Sequence, residues 1–135
     1  MLYVPGIPVA QGSKNAYRRG ERIVLVETAK RLPAWRYQIS HAARELNKEL
    51  IEFDAVRVTL LFMLPQPKKP VRQYPTTKPD IDKLSRAVLD ALTGVLYKDD
   101  SQVTQLDAQK VYTYGEPGVY ITVTGINNSL VTTRK

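Results

Sequence analysis

Cysteine is absent from this chain and histidine occurs once, as His41. The first absence excludes a disulfide framework and any thiolate metal site, and the second excludes a His-rich zinc site. A metal ion would have to sit on oxygen ligands, which suits magnesium or manganese. No apolar run approaches the roughly 18 residues that a membrane span needs. The start, Met1 to Gly6, lacks the basic-then-apolar order of a signal peptide. The expectation is a cytoplasmic protein with no membrane contact and no small-molecule cofactor. Acidic residues are also scarce: 20 Lys and Arg stand against 13 Asp and Glu, a net charge of +7 and a pI near 9.7. Such a balance favours a polyanionic partner, nucleic acid above all.

At 135 residues and 43% apolar composition, one domain spanning 1–135 can bury a core. Residues 1–9 are apolar but broken by Pro5 and Pro8, which allows a short edge strand. The stretch from Gln11 to Arg22 is basic and turn-rich. It reads either as a solvated loop or as an arm contacting phosphate through Lys14, Arg18 and Arg19. Ile23 to Val26, β-branched, predicts a short strand. Residues 34–51 place Trp35, Ile39, Ala42, Ala43, Leu46 and Leu50 at helical spacing, with Pro33 in the first turn and His41 off the stripe, exposed. Residues 55–64 alternate with Val56, Val58, Leu60, Phe62 and Leu64 on one face. Leu61 and Met63 on the other make this a central strand, covered on both faces in its second half.

Residues 65–79 hold five prolines and no acid, so a long loop is expected. Its Lys68, Lys69, Arg72 and Lys78 read as a DNA-contacting flap. Two β-rich runs, Gln102 to Tyr114 and Val119 to Ile126, flank the turn residues 115–118 and predict a terminal hairpin, with a bulge near Leu106 to Lys110 where the alternation slips. Residues 127–135 read as a frayed tail.

Between these segments lie two acidic pairs, Asp80/Asp82 and Asp99/Asp100. Pro79 disfavours helix at Lys78, so a helix opens at or just after Asp80, carries Ile81, Leu84, Val88, Ala91 and Leu92 as its apolar stripe, and stops at Gly94. Capping of open amides accounts for an Asp at the helix start. It leaves the second pair unexplained. If the following strand returns beside the helix start, Asp100 joins Asp80 and Asp82. Three such carboxylates repel one another unless a divalent cation turns them into ligands for one ion, or for two. Arg86, one turn after Asp82 and one before Asp90, either bridges them on the helix surface or stabilises charge developing on a phosphate. Lys83 is a second candidate for that place.

The runs Lys-Pro-Asp80-Ile-Asp82-Lys-Leu, Ala87-Val-Leu-Asp90-Ala-Leu-Thr-Gly94-Val and Tyr97-Lys-Asp99-Asp100-Ser-Gln-Val103 closely resemble the signature of the RusA-like Holliday junction resolvases. The resemblance is dense over these residues and looser elsewhere. It implies a small α+β domain, a mixed β-sheet packed against two main helices. It also implies a homodimeric, Mg2+-dependent endonuclease that nicks four-way DNA junctions symmetrically in recombination and repair. Carried over by position, Asp80, Asp82 and Asp100 would bind the metal, and Arg86 takes the place of the family's catalytic Lys. The Asn that usually follows the second Asp is Lys83. Arginine stabilises an anion but does not shuttle a proton, so the reading favours an electrostatic role for Arg86. Asp99 is expected to orient a ligand or the loop. The rival readings are a DNA-binding module without catalysis and a metal-dependent nuclease for other branched DNA or RNA.

Overall fold

The computed structural model describes residues 1–12 and 19–130, with backbone only for 19–29. Four strands and two helices follow one another along the chain: β1 (Leu2–Pro5), α1 (Arg19–Glu45), β2 (Ala55–Pro65), α2 (Ile81–Leu92), β3 (Val103–Thr113) and β4 (Gly118–Ile126). The sheet is mixed, in the order β1-β4-β2-β3. β2 is its centre, parallel to β3 and antiparallel to β4. Its inward row Val56, Val58, Leu60, Phe62 and Leu64 is buried. Trp35, Ile39 and Ala43 of α1 and Leu84, Ala87, Val88, Ala91 and Leu92 of α2 join the same core. Both helices therefore cover one face of the sheet, an α+β architecture.

Several expectations change. Ile23–Val26 is helical, because α1 starts at Arg19 and runs through Pro33 to Glu45. A four-residue run with three β-branched members carries too little strand preference to interrupt a long helix, where each such residue costs only tenths of a kcal/mol. Leu46 and Leu50 lie beyond the helix and are partly exposed. His41 is exposed as expected, within 3.5 Å of Glu45. Leu61 and Met63 are only half-buried, since no described element covers the second face.

The expected hairpin is not one. β3 and β4 lie on opposite sides of β2, so the segment 114–117 crosses the end of the central strand. The most apolar strand takes a partner on each edge instead of leaving one open. The bulge also sits elsewhere. Register runs unbroken from Arg57↔Gln105 to Pro65↔Thr113, and the slip falls between Val56 and Arg57, leaving Thr104 as the extra residue. The polar break in alternation at Lys110 has a different cause, described below. Asn128 bonds Asp54 and the Phe53 carbonyl, so the tail is anchored at its start. Residues 131–135 lie outside the described residues.

Gly118 marks a close approach of β1 to β4. A Cβ there would lie 2.6 Å from the Val4 carbonyl oxygen and 2.7 Å from the Tyr3 ring. Only a residue without a side chain lets the edge strand pair at that point.

Candidate active site

β2, the loop 66–80, α2 and β3 form a β-α-β crossover, which fixes where each acidic pair stands. α2 opens after the Lys78–Pro79 peptide, which is cis. Asp80 takes the N-cap position with extended backbone (φ −72°, ψ 141°), yet its carboxylate makes no capping hydrogen bond. Capping therefore does not account for it. Its described ionic neighbour is Lys83, 3.5 Å away. Asp82 is exposed in the first turn. Among the described residues no ion pair joins Arg86 to Asp82 or Asp90, so the surface bridge is not formed.

The loop ahead of Asp80 is held from the sheet. Lys110 stands on the inward row of β3, opposite buried Phe62. Its ammonium donates to the carbonyls of Thr77 and Pro79, each at 2.8 Å. This is why the alternation of β3 breaks there: a charged residue sits inward because backbone acceptors receive it. Pro75 is buried beneath the same loop, while Lys68, Lys69, Arg72 and Lys78 are exposed on it. From the other side, the Gln11 amide donates to the Lys83 carbonyl at 3.1 Å. The chain thus enters residues 13–18 from beside the first turn of α2. Lys14 and Arg18 lie outside the described residues, and of Arg19 only the backbone is described, as the first residue of α1.

The second pair stands at the opposite end of α2. Tyr97 is fully buried, and its hydroxyl donates to the Leu89 carbonyl at 2.8 Å, which pins the turn after α2 to the helix. A short 3-10 turn, Asp100–Gln102, follows. Asp99 caps it: its carboxylate accepts from the Ser101 amide at 2.9 Å, and that bond holds its pKa below the usual range. Gln102 closes the capping box and reaches the carbonyls of Ile51 and Asp54 at 3.0 and 3.1 Å. Asp100 is left beside Asp99 and Asp90. Partial desolvation, then the charges of those two carboxylates, raise its pKa.

The structure therefore brings Asp80 next to Asp82, and Asp100 next to Asp90. It does not bring Asp100 to the first pair within one chain. Among the described residues no group of three or more Asp, Glu or His side chains is assembled as a metal site. Asp90, expected only as an ion-pair partner of Arg86, instead faces Asp100. Its spacing, eight residues from Asp82 and four from Arg86 along one helix stripe, is the available signal. The donor set suits a hard divalent ion: oxygen only, with the Asp80 carboxylate not used as a cap and like charges crowded around Asp100.

A four-stranded mixed sheet with two helices on one face, and carboxylate pairs at both ends of a crossover helix below a basic loop, describes a small α+β protein suited to a polyanion. Residues 5–124 match the family described as Endodeoxyribonuclease RusA, and the chain belongs to that family of endodeoxyribonucleases. It is also similar to the "Uncharacterized protein YqaN" of Bacillus subtilis (strain 168), 32% identical over 132 residues, 89% of this chain and 92% of that protein. No helix among the described residues is long and apolar enough to cross a membrane.

Proposed function

We propose that the protein is a divalent-metal-dependent endonuclease that resolves four-way DNA junctions by paired hydrolytic nicks, acting as a homodimer in recombination and repair. The observation that carries this reading is the Asp80–Asp82 pair: two carboxylates displayed at a helix start, one of them not used as a cap, held beneath a basic loop in a family of endodeoxyribonucleases.

Asp80 and Asp82, with Asp100, are the proposed ligands. Mg2+, or Mn2+ in its place, when bound supplies Lewis-acid polarisation of a phosphate oxygen and of the attacking water. Magnesium is ordinarily held by one or two carboxylates together with water and substrate phosphate, which suits an exposed pair that meets DNA. Arg86, one turn from Asp82 and without a described ion pair, stabilises the negative charge growing on the phosphate. It acts as a fixed cation and not as a proton donor, since a guanidinium stays charged at working pH. Lys83 holds Asp80 in orientation and is the second cation of the site. Lys68, Lys69, Arg72 and Lys78, with Lys14, Arg18 and Arg19 of the N-terminal arm, contact DNA backbone. Two nicks related by the symmetry of a junction require two sites in one particle, which a two-fold dimer provides.

The test is Mg2+-dependent cleavage of a mobile four-way junction by wild type and by Asp82→Asn, beside flap, linear duplex and RNA substrates. Wild type is expected to cut the junction in preference to the others. Asp82→Asn is expected to stop cutting while binding the junction as well or better, because a repulsive charge is gone. Wild-type cutting rates in Asp82→Asn would remove the metal assignment. Salt-dependent binding with no nicking would make the protein a binding module.

A further inference from the structure

Several large apolar side chains left in water collect at the end of the sheet where the loop 66–80 leaves β2. Tyr114, the first residue after β3, is 94% exposed, and Val71 and Tyr74 of that loop are exposed as well. The bend that presents Tyr114 is fixed, because the Gly115 amide donates to the Thr113 hydroxyl at 3.1 Å. Beside it the chain leaves β2 through Pro65, Pro67 and Pro70. These prolines and Tyr114 line a notch of about 370 Å³ that opens to solvent. Its polar lining is Gln66, Lys68 and Thr113. Ordinary ligand sites begin at roughly 300 Å³, so the notch is large enough to hold one.

The chemistry of the notch selects its occupant. No carboxylate lines it, and residues 65–79 carry Lys68, Lys69, Arg72 and Lys78 without one acid. The acid that follows Gly115 is engaged elsewhere: the Glu116 carboxylate accepts from the Tyr3 hydroxyl at 3.2 Å. Among the described residues Lys68 has no ion pair. A ligand with a π face and a negative charge answers both features: a nucleobase stacks on the phenol ring while its phosphate meets Lys68. A base inside a duplex has both faces covered by its neighbours, so the occupant is an unpaired, unstacked nucleotide. The notch also lies near the carboxylates. Lys110, which holds the Pro79 carbonyl, precedes Thr113 by three residues, about 10 Å along the strand. At about 3.4 Å per nucleotide of a duplex strand, that is a few nucleotides.

Resting on the reading of branched DNA as the substrate, we propose that the Tyr114 notch is a nucleobase subsite, which stacks one unpaired base of the strand that crosses the basic loop toward Asp80 and Asp82. The subsite distinguishes branched DNA from linear duplex without relying on phosphate contacts. Lys68, Lys69 and Arg72 meet a backbone that every DNA offers. An unstacked base is available at a branch point, whereas extracting one from an intact helix costs its stacking and pairing. Every base has a π face, so the subsite reads the presence of a free base and not its identity.

The experiment measures binding in EDTA by wild type, Tyr114→Ala and Tyr114→Phe. The probes are a four-way junction, a linear duplex of equal length, and a junction with abasic nucleotides at the first three positions from the branch. Tyr114→Ala is expected to weaken the intact junction about 5- to 150-fold, the scale of one base stacked on an aromatic ring. Its affinity for linear duplex should stay at the wild-type value, and its salt dependence should not change because no charge is lost. Tyr114→Phe keeps the ring and is expected to bind the junction as wild type does. The abasic junction should weaken wild type to the level of Tyr114→Ala and cost that variant nothing further, the non-additivity of two groups in contact. Additive losses, or a junction affinity untouched by Tyr114→Ala, overturn the subsite while the branched-DNA reading stands. Equal losses on junction and duplex overturn it too, since Tyr114 would then contact paired DNA. A wild-type chain that does not prefer the junction to the duplex overturns the branched-DNA reading, and the subsite with it, before any variant is compared. Because Tyr114 is exposed, the melting temperature of Tyr114→Ala is expected to match wild type, which separates lost binding from lost fold.

Discussion

The ammonium of Lys110 reaches the carbonyl oxygen of Pro79 at 2.8 Å, and with it the position of Asp80 is set from the far edge of the sheet. The same group holds the Thr77 carbonyl at 2.8 Å, so two points of a proline-rich loop hang on one side chain. Replacing Lys110 by Met leaves both carbonyls without this donor and frees the approach to α2. Misplacement of a reacting group by about 1 Å can cost 10²-fold in rate. Nicking by Lys110→Met is expected to fall about 10- to 100-fold on that basis, and the Mg2+ concentration for half-maximal rate to rise. Junction binding measured in EDTA should change little. Lys110→Arg, which keeps donors but not their reach, should recover part of the loss.

Asp100 is partly desolvated and meets the charges of Asp99 and Asp90. Its carboxyl is more readily protonated in the folded chain than in the unfolded one, so the folded state binds the extra proton. Folding is thus penalised as pH rises above the ordinary carboxylate value of 3.8, and the penalty persists at neutral pH. Asp100→Asn removes it. In EDTA this variant is expected to melt at a higher temperature than wild type at pH 7, with the difference shrinking toward pH 4. Mg2+ should raise the melting temperature of wild type more than that of the variant, as a ligand bound by the folded state alone must. Differential scanning calorimetry at several pH values reads both effects.

Gly118 offers a test of the edge between β1 and β4. An added methyl meets the Val4 carbonyl oxygen at 2.6 Å, and backbone does not yield as a flexible side chain does. Gly118→Ala is expected to destabilise by about 1–3 kcal/mol, the usual cost of overpacking. Urea denaturation followed by far-UV circular dichroism gives the value, with junction binding retained in the folded fraction.

The basic loop contributes through counterion release. Each phosphate contact removed lowers the slope of log K against log salt by about 0.9 for duplex DNA. Replacing Lys68, Lys69 and Arg72 together by Ala should therefore flatten the slope by about 2 to 3 and weaken all junction sequences alike. A titration of junction affinity between low and physiological salt measures it.

Much of the fold was legible because its signals were local. The alternation of Val56 to Leu64 identified β2 as central, and the structure pairs it on both sides. The spacing of Leu84, Val88, Ala91 and Leu92 identified α2 and its buried face. Pro79 and Gly94 marked the limits of α2, through a disfavoured backbone region on one side and a left-handed one (φ +82°) on the other. Ile23 to Val26 misled for the same reason: four residues report their own preference, while a helix of 27 residues is decided by its whole length. The hairpin between β3 and β4 misled because turn residues at 115–118 specify a reversal, not which strand is met after it. Pairing depends on which edge of β2 is open, and no local pattern records that.

The candidate site divides along the same line. Composition alone determined that any metal meets oxygen, since there is no Cys and one His. The residues on their own also placed Asp80 and Asp82 at the start of a helix, and the dense run from Lys78 to Val103 carried the family. Tertiary structure alone decided that the carboxylate of Asp80 is not used as a cap, that Lys110 anchors the loop before it, and that Asp100 stands beside Asp90. The reason is physical. Helix starts, stops and faces follow from torsional preferences and apolar spacing within a few residues. The distance between Asp82 and Asp100 follows from the direction in which α2 crosses between two parallel strands, a property of the packed sheet and of no segment by itself.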